Sequence, residues 1–276
     1  MRERAGARPS AAWRRRPSAS WLERAGGWLP TALVLAALIG GWELYVDAGG
    51  VDALVLPAPH DILAALYDDR RVLWSNFLVS AKEIVLGSLL AAASGMALAF
   101  AMHFWVLVRR ALYPLLVASQ AVPVPILAAP LAFWLGFGLA PKLVVVALVS
   151  FFSVVITTLA ALATVERGLL QLMRTFDASR LRTFRYVELP AALPGLFTGL
   201  KLTLVVAVIA DVLAEQGAGS NAGLGYILMT AEPQLLTAEA FAAALILSLL
   251  AIVLFALLTI AERRLLPWAY RPKGAE

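Results

Sequence analysis

"RTFDASRLRTFRYVELPAALPGLFTGLK", residues 174–201, interrupts a chain made mostly of Ala, Leu and Val. Within fifteen residues it carries Arg174, Asp177, Arg180, Arg182, Arg185 and Glu188, then Pro190 and Pro194, and then turns apolar again. Read as a helix, it places Phe176, Leu181, Phe184 and Val187 or Leu189 on one stripe, with the arginines around it. Asp177 is a suitable N-cap for the residues that follow, because its carboxylate accepts from a free backbone N–H. Pro190 is expected to end that helix. The stretch is therefore expected to be a short amphipathic surface helix between two apolar segments.

The surroundings decide which surface. Of the 276 residues 61% are hydrophobic and 15% charged, with a mean hydropathy of +0.82. A soluble domain is nearer half apolar and a quarter charged, so the chain is expected to be a polytopic membrane protein. Six apolar segments, 28–46, 78–105, 112–137, 143–163, 197–213 and 241–260, approach the ~20 residues a helix needs to span a bilayer. With six spans, most basic residues share one side: the N-terminal tail with its seven arginines, Arg109 and Arg110, the loop with Arg167 to Arg185, and Arg263, Arg264, Arg271 and Lys273 at the C-terminus. The other side carries Asp47, Asp52, Asp61, Asp68, Asp69, Glu215, Glu232 and Glu239, against Arg70, Arg71 and Lys142. The positive-inside rule then puts both termini and the 174–201 stretch in the cytoplasm. Five spans would split the basic loops. The first apolar run exceeds the usual 7–15 residues of a signal-peptide core, so it is read as a retained span.

Three features lie inside or beside the spans. Pro123, Pro125 and Pro130 disturb the third segment beside the polar Gln120, and non-helical backbone at membrane depth survives only when packed in protein or lining a cavity. Gln120, Pro123 and Pro125 are thus candidates for a translocation path, against a plain packed kink. Asp211 and Glu215, four residues apart, share one face near the outer end of the fifth segment. They are candidates for the outer mouth of that path, against a pair of interfacial carboxylates reaching water. Lys201, near the inner end, is expected to snorkel. His103 is expected at an interface, without co-ligands for a metal.

The exclusions are broad. With no cysteine, no disulfide, thiolate nucleophile or Cys-ligated metal site exists. No G-x-x-x-x-G-K-[ST], G-x-S-x-G or H-E-x-x-H occurs, and the Gly-rich 217–226 follows no strand. No catalytic residue, metal site or cofactor is assigned, and any transport needs outside energy. The net charge of +5 sits in loops facing one leaflet, so a lipid surface and not nucleic acid is its expected partner.

Residues 171–190, "QLMRTFDASRLRTFRYVELP", resemble the "EAA" loop of permease subunits of binding-protein-dependent ABC importers. That pattern is E-A-A, three residues, Gly, nine residues, Ile, one residue, Leu-Pro. Val187, Leu189 and Pro190 match its end without gaps, and Ala178, Ser179 and Arg180 match a frequent continuation. Gln171, Leu172 and Met173 replace E-A-A, and Asp177 replaces the Gly. Asp tolerates a left-handed turn better than most residues. The resemblance extends over 42–268, through "LPAPHDILAAL", "LPAALPGLFTGLK", "AGLGYIL" and "ERRLLPW". It points to the branch handling nitrate, sulfonates, taurine and the thiamin pyrimidine precursor, and most nearly to the hydroxymethylpyrimidine type.

The resemblance implies an all-α, polytopic type I ABC importer permease fold with six transmembrane helices, in the plasma (inner) membrane of a prokaryote. The Arg/Pro/Ser/Ala-rich start is read from its composition as a disordered basic tail over 1–27; the resemblance implies a permease domain over 28–266 with a cytoplasmic coupling loop at 164–193, and a cytoplasmic tail over 267–276. Its expected partners are a separate ABC ATPase that binds the ATP, an extracytoplasmic solute-binding protein and a second permease chain in a homodimer. The coupling residues would be Arg174, Phe176, Asp177, Ala178, Ser179, Arg180, Arg182, Phe184, Arg185, Glu188 and Pro190. Sulfonates, taurine or nitrate are the alternative cargoes. A non-transport docking or sensor protein, a gradient-driven carrier and an intramembrane enzyme are the other classes, the last disfavoured by the missing catalytic motifs.

Overall fold

The computed structural model describes residues 21–52 and 54–270, with side chains outside 21–28 and 124–126. The basic tail expected over 1–27 therefore lies outside the described residues up to residue 20, as does the end of the expected C-terminal tail from 271. Among the described residues every regular element is helical. Two units form. The first contains α1, Trp21–Asp47, whose stretch Leu29–Asp47 is long and apolar enough to cross a bilayer.

The second unit, from residue 54 on, holds the remaining helices. A short α2, Pro59–Asp68, begins on a proline and is closed at its start by the Asp61 carboxylate, which accepts from Ala58 N at 3.3 Å. Then come α3, Arg70–Phe104, α4, Val106–Ser119, α5, Val124–Leu135, and α6, Leu139–Ala163. Small helices α7, Arg167–Thr175, and α8, Arg180–Thr183, precede α9, Leu189–Gly217. The fold closes with α10, Leu224–Ala231, and α11, Thr237–Leu265.

The core is α6 packed between α3 and α9. In lipid no hydrophobic drive pulls apolar helices together, so close van der Waals approach has to do so, and small residues permit it. A Cβ on Gly87 of α3 would fall 2.5 Å from Val146 of α6, and one on Gly95 would fall 2.7 Å from Val154. Ala91, Ala99, Ala207 and Ala210 are fully buried in the same layers, while Leu89, Ile209, Leu249 and Ile252 point outward. That apolar exterior is expected of a surface solvated by lipid.

The apolar segment 112–137, expected as one span, is two helices. Its chain turns at residues 120–123 between α4 and α5, which at 14 and 12 residues reach only ~21 and ~18 Å. Neither crosses ~30 Å of hydrocarbon alone. The cause is proline: Pro123 takes the extended N-cap position, and Pro125 occupies the first turn of α5. Outside this pair, four helical stretches among the described residues of the second unit have spanning length: Arg70–Phe104, Leu139–Ala163, Arg180–Gly217 and Thr237–Leu265.

Candidate functional site

The basic stretch is built as a left-handed turn followed by a helix. α7 ends at Thr175 and Asp177 takes a left-handed φ of +50°. Ala178 N donates to Met173 O at 3.1 Å and Asp177 N to Arg174 O at 3.0 Å. Those two bonds form a Schellman motif with Asp177 at the left-handed position. Gly is favoured there because it has no Cβ; Asp occupies it as one of the few other residues that tolerate the conformation. Asp177 is not the N-cap expected from the sequence. That place belongs to Ser179, whose hydroxyl accepts from Arg182 N at 3.4 Å.

Pro190 does not end the helix either. The backbone runs without a break from Arg180 to Gly217. Residues Phe184–Glu188 widen into a π-turn, with Leu189 N donating to Phe184 O. A proline ring clashes with the carbonyl four residues earlier, and a wider turn relieves that clash while keeping the chain helical. The charged helix is thus covalently and conformationally continuous with a membrane-spanning one.

The expected apolar stripe divides in two. Phe184 faces inward and is buried, its ring edge-on to Phe104 at 4.9 Å and to Phe100 at 5.3 Å. Beside it, His103 Nε2 and Glu188 Oε2 lie 2.7 Å apart, and Arg180 Nη2 donates to His103 O at 2.8 Å. The Arg180 guanidinium also lies over the Phe104 ring at 5.3 Å. His103 therefore ties the end of α3 to this stretch. Phe176 and Leu181, 72% and 67% exposed, face away, as do Arg174, Arg182, Arg185 and Tyr186. Ala178 is half-buried and Pro190 lies half-buried in the first turn of α9.

The other sequence candidates separate. Gln120 lines a largely apolar cavity of about 280 Å³ between α3, α4 and α6, together with Ser119, Leu98, Leu116 and Phe151. Pro123 is exposed close by. Asp211 and Glu215 are elsewhere and do not reach water: they are 0% and 1% exposed. Glu215 accepts from Ser80 Oγ at 2.7 Å and from Tyr226 N at 3.1 Å, while Leu224 N donates to Ser80 Oγ at 2.8 Å and Gly223 N to Asn76 Oδ1 at 2.7 Å. A carboxylate at the start of α10 satisfies free N–H groups and complements the helix dipole. Gly223, at φ +121°, leaves the space that the Glu215 carboxylate fills. So the Gly-rich 217–226 is a turn wrapped around Glu215.

Two ion pairs went unseen in the sequence. Lys142, grouped there with the outer loops, is buried and donates to Glu83 Oε1 at 2.6 Å. Lys201 does not snorkel; it pairs with Glu262 of α11 and lies over the Phe255 ring. The available signal was cost: charges within apolar segments are expensive and seek partners.

Comparison with known proteins matches the geometry to a class. Residues 83–267 match the family described as binding-protein-dependent transport system inner membrane component. A probable ABC transporter permease protein of Haemophilus influenzae is 34% identical over 82% of this chain and 92% of its own length. The formylaminopyrimidine transport permease protein ThiX of Halalkalibacterium halodurans is 34% identical over 87% of this chain and 95% of its own. A solved inward-facing structure of the MetNI methionine ABC transporter shares the fold, with a TM-score of 0.54 and 22% identity over 73% of this chain and 95% of that one. The chain belongs to the family of inner-membrane components of binding-protein-dependent transport systems: it is a multipass membrane protein and the permease of an ABC importer.

Proposed function

We propose that this permease carries a small solute of the thiamin pyrimidine precursor type, received from an extracytoplasmic binding protein and moved by a separate ATPase. The chain would contribute six spans, counting the α4–α5 pair as one, with both termini in the cytoplasm. Two copies would form the pathway. The chain itself holds no ATP and performs no chemistry; alternating access by rocking of packed helices would do the work.

One observation carries the mechanism. The basic stretch is a lever with a gripped end and a free end. Phe184, Glu188 and Arg180 hold it to α3, and the unbroken helix connects it to α9. Phe176, Leu181, Arg174, Arg182 and Arg185 remain free to enter a groove on the ATPase, the arginines pairing with its carboxylates. A push on the free end is then delivered to α3 and α9 together.

The test is a pair of charge reversals on the free end, Arg182→Glu with Arg185→Glu. The ATPase is expected to be lost on copurification and uptake to fail, with normal membrane insertion. Unchanged copurification and uptake would refute the coupling role. For the cargo, the formylaminopyrimidine permease relative supports a pyrimidine. Sulfonates, taurine and nitrate remain the competitors, and titration of the partner binding protein with each separates them.

A further inference from the structure

A second cluster has no part in this lever. Glu83 of α3 and Asp211 and Glu215 of α9 are 2%, 0% and 1% exposed. One carboxylate oxygen from each can be chosen so that all three lie within 4.8 Å of one another. Lys142 is the ammonium bonded into the group, through Glu83 Oε1; Lys82, next to Glu83 on α3, projects ~100° away. Three carboxylates thus face one bonded ammonium.

The hydrogen bonds leave a gap of a specific kind. Glu215 has donors on both oxygens, from Ser80 and Tyr226. Glu83 Oε2 and both oxygens of Asp211 have none, although they are buried. Buried oxygens without a donor are costly, and anionic ones more so, unless a cation, or a proton shared between the adjoining Glu83 and Asp211 carboxyls, supplies the missing partner.

The geometry points to a binding site for a divalent, oxygen-seeking cation of the Ca²⁺ type, held by Glu83, Asp211 and Glu215. Its donors are all carboxylate oxygens, the hard set that Ca²⁺ prefers. Ca²⁺–oxygen distances of about 2.3–2.6 Å put opposite ligands up to ~5 Å apart, which fits the cluster. Two positive charges balance the carboxylates left after Lys142. The ion would clamp α3 to α9 and, through Glu215, hold the Gly223 turn. It would act at the end of α9 remote from Phe184, independently of the cargo.

The experiment uses the full-length permease in detergent, without nucleotide, stripped with a chelator and titrated with Ca²⁺ by calorimetry and with Mn²⁺ by electron paramagnetic resonance. One saturable site per chain is expected, with a higher Tm in Ca²⁺ than in Na⁺ at equal ionic strength. Asp211→Asn should weaken binding at least ~10-fold, and Glu83→Gln should do likewise. Absence of a saturable site in the unaltered chain would overturn the inference. So would equal affinity in either substituted chain. A Tm that rises only on acidification, with no ion bound, would assign the balancing charge to protons instead.

Discussion

Phe184→Ala asks whether the basic stretch proposed to couple to the ATPase is gripped by packing or merely connected by chain. The ring is 8% exposed and meets Phe100 and Phe104 edge-on. Truncating a buried Phe costs about 3–5 kcal/mol, and a site near the surface can partly collapse, so about 3 kcal/mol is expected here. At 1.4 kcal/mol per decade this is roughly a 100-fold shift toward locally open states. Hydrogen exchange of the purified permease reads that shift directly, because local opening governs amide protection. Protection across residues 182–189 should fall by roughly 100-fold, while α6 and α11 keep theirs. Leu181→Ala, on the exposed face, should leave protection unchanged. If Phe184→Ala also left it unchanged, the aromatic grip would not hold the stretch, and the lever would lose its fixed end.

Other expectations follow from the same packing. Lys142→Met strands Glu83 beside two further carboxylates and should cost about 3–5 kcal/mol in chelator, read from denaturant unfolding; added Ca²⁺ should recover part of it. Asp177→Gly should preserve ATPase copurification, whereas Asp177→Val, which disfavours the left-handed turn, should cost about 1–2 kcal/mol and reduce it. Gly223→Ala places a Cβ on the Glu215 carboxylate and should lower Tm and expose 217–226 to protease; unaltered cleavage would contradict the Glu215-centred turn. His103→Ala leaves Glu188 without its ring partner and should accelerate exchange of the Arg182–Glu188 amides less than Phe184→Ala does.

The sequence by itself determined much of this protein. Apolar runs near 20 residues fix the class, since a backbone in lipid must satisfy its own hydrogen bonds and a helix does so locally. The basic stretch 174–188 was legible for the same reason: charge amid apolar sequence belongs at a surface. Pro123 and Pro125 announced the break between α4 and α5, because a missing N–H is a local property. What failed were two local readings and the pairings between distant segments. Neighbouring residues suggested that Asp177 was a cap and that Pro190 was a stop; both misreadings were local, since Asp177 also tolerates the left-handed turn that closes α7 and a π-turn relieves the proline clash without ending the helix. Asp211 and Glu215 read somewhat better as carboxylates reaching water than as the mouth of a path, and Lys142 as a loop charge. Only the tertiary structure placed these with Glu83, 59 residues from Lys142 in the chain, and turned Phe184 inward while leaving Phe176 and Leu181 outward. Which faces meet is decided by how closely α3, α6 and α9 can pack, and that depends on every small residue in three helices at once.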